Sequence, residues 1–299
     1  MMKNYQGKTA VITGAGSGFG LEVARLAAQR GMNLVLCDVQ ADALERAAAE
    51  FDGHALLAMR VDVSKAAEME ALAAAVQQRF GAPHFVFNNA GVGSGGLVWE
   101  NSLADWEWVL GVNLMGVVHG VRLFTPMMLA AAEADPGYEG HIVNTASMAG
   151  MLNAPNMGVY NVSKHAVVAL SETLYQDLAL VTEQIHCSVL CPFFVPTGIA
   201  QSHRNRPAEM AGSRPTRSQL IGQAMSDKAV NAGKFTAAQV AAMVFDAMDH
   251  EQFYVFSHPH SLAGVQTRLE DVMQLRNPSD PFKDKPELGQ KLREALKTV

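Results

Sequence analysis

Apolar runs of five or six residues and amphipathic stretches of ten or more alternate along most of the chain. Residues 8–13, KTAVIT, form an apolar, β-branched run suited to a buried parallel strand. The following FGLEVARLAAQRG has apolar positions three and four apart and stops on Gly31, which predicts a helix with a glycine C-terminal signal. The alternation continues with strand 33–38, helix 41–51, strand 55–61, helix 65–80 and strand 84–88. A long helix over about 102–132, a loop at 133–140 and a strand at 141–147 follow. Next come a helix from Gly158, strand 185–190, helix 236–250 and strand 252–257. The chain closes with helical segments 260–276 and 286–297. Strands alternating with helices predict an α/β architecture: a doubly wound, mostly parallel, seven-stranded sheet with helices on both faces. With neither repeat nor linker, residues 1–299 read as one domain with a core at about 6–260 and an extension at about 261–299. Residues 198–235 are weakly patterned, and a stretch of that length inside a compact domain predicts a functional lid or a disordered loop.

Chemistry gathers at the predicted carboxyl ends of the strands, where open α/β sheets bind ligands. The first strand runs into TGAGSGFG at 13–20, with glycines at Gly14, Gly16, Gly18 and Gly20. Strand, glycine-rich turn and helix together suit a pyrophosphate, which the turn lets approach and the helix N-terminus stabilises. The second strand ends on Asp38, whose carboxylate can accept from both hydroxyls of an adenosine ribose and would repel a 2′-phosphate. No Arg or Lys follows in Val39, Gln40 and Ala41, so NAD is favoured over NADP. Asp38 could equally cap the next helix. Asp62, past the third strand, could reach an adenine amino group or act as a cap. The fourth strand ends in Asn88–Gly91, small and amide residues that permit close backbone approach. Asn113 is a polar residue inside an apolar helix, either a satisfied core amide or a functional group. Ser147 ends the fifth strand, and Pro192–Thr197 follow the sixth. Tyr160 and Lys164 are four apart and share one face of a helix. An ammonium beside a phenol lowers its pKa and makes the hydroxyl an acid–base group.

Composition narrows the class. The formal net charge of −6 carries no basic stripe, so nucleic acid is not an expected partner. No apolar run is read as long enough to span a membrane and no leader precedes the first strand, which predicts a soluble, cytoplasmic protein. Three cysteines, Cys37, Cys187 and Cys191, lie in apolar runs and are expected to pack as small hydrophobes. His258 and His260 lack a further ligand at metal-binding spacing, and no metal site is expected.

Taken together, these motifs resemble the short-chain dehydrogenase/reductase family over about residues 6–260. Its glycine motif matches residues 13–20, its Asn-Asn-Ala-Gly motif matches Asn88–Gly91, and its active-site tetrad matches Asn113, Ser147, Tyr160 and Lys164. The resemblance implies a Rossmann-type fold and an NAD(P)-dependent enzyme acting on CH–OH groups. It implies that Tyr160 exchanges a proton with the substrate oxygen and that Ser147 stabilises the charge there. Lys164 would tune the tyrosine and hold the nicotinamide ribose, and Asn113 would fix a water. Cofactor contacts are expected from Gly14, Ser17, Gly18, Phe19, Gly20, Asp38, Val39, Asp62, Val63, Asn89, Ala90, Gly91, Pro192, Val195 and Thr197, with Tyr160 and Lys164. Substrate contacts are expected from Met148, Asn153, Phe193 and Phe194. The chain departs from the family after the sixth strand, where Pro-Gly is usual and Pro192 is instead followed by Phe193 and Phe194, which suggests a more apolar, enclosed site, and in its C-terminal extension. That extension has a faint similarity to bacterial members acting on bulky aryl alcohols, and it could cover a neighbouring subunit or its own site. The expected substrate is a hydrophobic secondary alcohol or ketone, and the expected assembly is a homotetramer or homodimer. An NADPH-dependent 3-oxoacyl thioester reductase is the alternative, supported by the basic residues in HRNRP at 203–207. A non-catalytic NAD-sensing protein is a remoter one.

Overall fold

A computed structural model describes residues 2, 4–210 and 214–297. Seven strands form one sheet: β1 (Thr9–Thr13), β2 (Asn33–Asp38), β3 (Leu56–Arg60), β4 (Phe85–Asn88), β5 (Gly140–Thr145), β6 (Ile185–Cys191) and β7 (Tyr254–Phe256). Their order is β3-β2-β1-β4-β5-β6-β7, and every pairing is parallel. The central β1 pairs Ile12 with Leu36 on one side and with Phe87 on the other. The chain therefore winds outward to β3, then crosses over β1 to begin the other half at β4. That reversal opens a crevice at the carboxyl ends of β1 and β4, which is the Rossmann-type arrangement.

The helices sit on both faces. They are α1 (Gly18–Gln29), α2 (Ala41–Ala49), α3 (Ala66–Phe80), α4 (Leu103–Leu110), α5 (Gly116–Ala134) and α6 (Gly158–Val181), followed by α7 (Arg217–Asn231), α8 (Ala237–Asp249), α9 (Leu262–Met273) and α10 (Pro286–Lys297). Successive side chains of a strand point to opposite faces, so a strand covered on both sides must be apolar throughout. In β1, Ala10 and Ile12 join the core with Val23 of α1 and Phe245 of α8, whereas Val11 joins Leu72 of α3 and Phe124 of α5. Each fully buried aliphatic or aromatic side chain of this kind contributes about 1.5–3 kcal/mol. Cys37, Cys187 and Cys191 are buried and unpaired within these layers.

Two expectations change. The helical stretch Leu103–Ala134 has 32 residues and a mean hydropathy of 1.4, so by length and composition it could cross a membrane. In this fold its apolar character serves packing: Val109, Val117, Phe124 and Met128 are buried, and α5 lies over β4 and against α3. Residues 198–235 are not a structureless loop. They hold two 3-10 segments, Gly198–Asn205 and Ala208–Met210, and then the whole of α7.

Candidate active site

The glycine turn is held by backbone. Gly14 and Gly18 have positive φ, +67° and +55°, conformations that suit residues without a side chain. At Gly20 a Cβ would come within 2.1 Å of the Gly14 carbonyl oxygen, so the turn closes on α1 only with glycine there. Gly20 does not reach the cleft. It was expected to touch the cofactor, but it serves the packing that brings Gly14, Ser17, Gly18 and Phe19 to the cleft wall. Ser17 precedes α1 and makes no side-chain cap, and the first turn of α1 has no acidic residue. The N-terminal amides are therefore open to an anion.

Asp38 projects from the end of β2 into the same cleft. Its Oδ2 accepts from Gly16 N at 2.9 Å and its Oδ1 from Gln40 N at 2.9 Å. A carboxylate has about four acceptor positions, so capacity remains for a ribose hydroxyl pair. Gln40, not Asp38, is the N-cap of α2. Val39, Asp62 and Val63 complete this wall, with Asp62 holding the Ser64 amide at 3.0 Å and the Ser64 hydroxyl at 2.7 Å instead of capping α3.

The Asn-Asn-Ala-Gly turn is bound to β1. Thr13 Oγ1 accepts from Asn89 N at 2.8 Å and Ala90 N at 3.0 Å, and Asn89 Nδ2 donates to Thr13 O at 3.0 Å. Below it, Asn88 Nδ2 donates to Asn144 Oδ1 at 2.9 Å, and Asn144 Nδ2 donates to Ser171 Oγ at 3.0 Å. These buried amides tie β4, β5 and α6 into one platform. Asn113 occupies a π-helical turn, Gly111–Met115, between α4 and α5. It is fully buried, accepts from Val92 N at 2.8 Å, and donates to Val92 O at 3.0 Å and Ser163 Oγ at 3.1 Å. Asn113 lies behind the cleft wall, and a Cβ on Gly91 would sit 3.4 Å from its Oδ1 and 3.6 Å from Lys164 Nζ. Gly91 thus marks the point where the amide and the ammonium approach each other.

Ser147, Tyr160 and Lys164 meet at the floor of the cleft. Ser147 follows β5 and its hydroxyl accepts from Ala149 N at 3.1 Å. Lys164 is buried and donates to Thr145 O at 2.9 Å, with Nζ 5.7 Å from the centroid of the Tyr160 ring. Burial pushes the Tyr160 hydroxyl above its ordinary value, opposed by its hydrogen bond with Ser147. Burial likewise draws Lys164 down to about 8. Here desolvation outweighs the expected lowering of the phenol by the ammonium, because Nζ is aimed at a carbonyl and not at the phenolic oxygen.

The cleft has a volume of about 560 Å³ and a largely apolar lining. Met148, Phe193 and Phe194 line it, the two rings 4.5 Å apart. Asn153 was expected there but is solvent-exposed outside the wall. The neighbouring Asn156 takes its place, buried at φ +62° with its side chain donating to Ser218 O at 3.0 Å. Gln223 and Phe282, which sequence reasoning missed, line the cleft together with Trp108. Phe282 comes from the C-terminal extension and lies over Gly289 of α10, which packs on α7. The extension therefore reaches the cleft of its own chain. Nothing local in RNPSDPFKDKP signals a return to the cleft.

The short chain dehydrogenase family profile matches residues 8–208. A crystal structure of a short chain dehydrogenase/reductase from Burkholderia phymatum in complex with NAD superposes with a TM-score of 0.90. It is 50% identical and covers 94% of this chain and 99% of its own. A C alpha-dehydrogenase from Sphingobium is 31% identical over 94% of this chain and 90% of its own. A cyclohexanol dehydrogenase from Acinetobacter is 30% identical over 77% of this chain and 92% of its own.

Proposed function

The chain belongs to the short-chain dehydrogenase/reductase family, and from that premise we propose that it transfers hydride between NAD(H) and a hydrophobic secondary alcohol or ketone. The carrying observation is the convergence of Ser147, Tyr160 and Lys164 on one cleft whose far wall holds Asp38 and the open N-terminus of α1. The cyclohexanol dehydrogenase among the relatives supports an alcohol or ketone substrate, and the NAD-bound relative supports the cofactor.

The residues fit a dinucleotide. The amides at the α1 N-terminus suit a diphosphate, Asp38 retains acceptor capacity for a ribose, and Gly91 leaves the wall free of a side chain beside Lys164. When bound, the nicotinamide supplies the hydride chemistry. In reduction, Tyr160 donates its proton to the ketone oxygen while Ser147 hydrogen-bonds that oxygen and stabilises its developing charge. In oxidation the tyrosine must first lose its proton and then accept one from the alcohol. A phenol raised by burial is poised for the reductive proton transfer near neutrality, and alcohol oxidation gains as pH rises. Phe193, Phe194 and Met148 supply an apolar seat for the carbon skeleton.

The test is a titration with NADH and NADPH side by side, followed by the fluorescence of Trp108, which lines the cleft. NADH should bind more tightly, and Asp38→Ala should erase most of that preference, since a charge-assisted hydrogen bond contributes about 1.5–3 kcal/mol. Tighter NADPH binding would move the thioester reductase reading ahead, and binding of neither would defeat the dinucleotide site.

A further inference from the structure

Arg204 stands out among the cleft residues that the chemistry above does not use. It lies in the 3-10 segment Gly198–Asn205, is solvent-exposed, and lines the cleft. Its guanidinium makes only long contacts, from Nη1 to Gln201 O at 3.3 Å and to Gln201 Oε1 at 3.5 Å. Among the described residues no carboxylate pairs with it. A cleft-facing guanidinium with most of its five donors free has the chemistry of an anion ligand.

Its position says which anion. At Gly18, in the first turn of α1, a Cβ would lie 3.5 Å from both Cβ and Cγ2 of Thr197, so Thr197 sits directly on the glycine turn. The next residue is Gly198, where a Cβ would lie 2.9 Å from Arg204 Nη2 and 3.7 Å from its Cζ. The guanidinium is thus two steps of contact from the open amides of α1. The positive end of the helix and the guanidinium belong to one cleft wall. A diphosphate between them would satisfy both. A substrate carboxylate would instead lie toward Ser147 and Tyr160.

We propose that Arg204 is a ligand of the cofactor diphosphate, so that the segment it belongs to closes onto the bound dinucleotide and sets its affinity. This rests on the dinucleotide reading of the cleft. Gly198 then has a reason: without a side chain it leaves the guanidinium room to lie against the backbone next to Thr197.

The experiment measures NADH, ADP-ribose and adenosine binding to the full-length protein and to Arg204→Gln and Arg204→Lys, using direct titration for NADH and competition for the others, at low and high salt. Because the side chain is exposed, the variants should keep the wild-type melting temperature. The expected result is that Arg204→Gln weakens NADH and ADP-ribose about tenfold at low salt and much less at high salt. Adenosine should compete as before, and Arg204→Lys should recover part of the loss. Unchanged NADH affinity in Arg204→Gln would overturn the proposal, as would an equal loss for adenosine. An effect confined to the KM of carboxylate-bearing substrates would also overturn it. Failure of the wild type to bind NADH at all would instead defeat the dinucleotide reading, which separates the two.

Discussion

The two rims of the cleft are built by different means. The cofactor rim is an extension of the sheet: Thr13, Asp38 and Asn89 stand at the ends of β1, β2 and β4, where Thr13 and Asp38 accept from nearby backbone N–H groups and the Asn89 side chain donates to the Thr13 carbonyl. The substrate rim is assembled from residues far apart in the chain. Ser202 accepts from Gly93 N at 2.7 Å, Ser218 accepts from Leu97 N at 3.0 Å, and Arg206 donates to Asp105 at 2.5 Å. Of the eight buried polar side-chain atoms without a protein partner among the described residues, three lie there, Asn156 Oδ1, Asn205 Oδ1 and Arg206 Nη2, against Asn88 Oδ1 beneath the cofactor rim. An unpartnered buried atom costs about 1–3 kcal/mol, so this rim carries penalties that a rearrangement can relieve. The comparison teaches that a rigid rim holds the invariant part of a reaction, while a side-chain-latched rim can be reshaped for a particular substrate.

The largest effect that would test this division lies where the rims meet. Tyr160→Phe removes the hydroxyl to which we assign the proton transfer while keeping the ring, and should lower kcat by about 10²- to 10⁴-fold. NADH affinity and melting temperature should stay within error, because the cofactor rim is untouched. In the wild type, kcat/KM for alcohol oxidation should rise with pH above neutrality while that for ketone reduction stays level until the phenol itself titrates, since burial holds the phenol above its ordinary value. Parallel pH profiles in the two directions would remove Tyr160 from the proton transfer.

A smaller effect compares one glycine from each rim. Gly20→Ala drives a Cβ to within 2.1 Å of the Gly14 carbonyl oxygen, a clash with backbone anchored in the sheet. The expected cost is about 1–3 kcal/mol or more of stability, together with loss of NADH binding. Gly222→Ala in α7 places a Cβ 3.1 Å from Asn156 Nδ2 and from Gly95 Cα, tight contacts in a rim able to shift by tenths of an ångström. Its thermal stability should change little and its effect should appear in the substrate KM. Equal destabilisation, read by denaturant unfolding, would mean that both rims are equally rigid.

The same division explains what the sequence made legible. At the cofactor rim the constraint is local and stereochemical: Gly14 and Gly18 need positive φ, Asp38 ends an apolar strand, and Tyr160 and Lys164 share one helical turn, so residue type and spacing carry the information. At the substrate rim the constraint is tertiary. Asn153 and Asn156 are the same residue type three apart, and only the positive φ of Asn156 turns it inward. The helix α7 was missed because Gly222 interrupts a weak apolar pattern, although Thr216 and Gln219 form a capping box that could have located its start. The π-helical turn that carries Asn113 shows no sequence mark, since its backbone register follows from packing against Val92 and Ser163.

The smallest effect concerns the residue with the least sequence signal. Phe282 enters the cleft from beyond the last strand, held by its contact with Gly289 and by the packing of α10 on α7. It contributes one apolar surface to a seat already formed by Phe193, Phe194 and Met148. Phe282→Ala should therefore raise the KM for a bulky hydrophobic alcohol by up to about tenfold, the scale set by a modest change in an apolar pocket. A small alicyclic alcohol that cannot reach the rim should show almost no change, and NADH affinity should be preserved because Phe282 stands apart from the glycine turn. If both alcohols lose equally, the extension acts by holding α7 in place and not by touching substrate. If NADH binding falls as well, the two rims are coupled, and the separation between a rigid cofactor side and an adaptable substrate side does not hold for this enzyme.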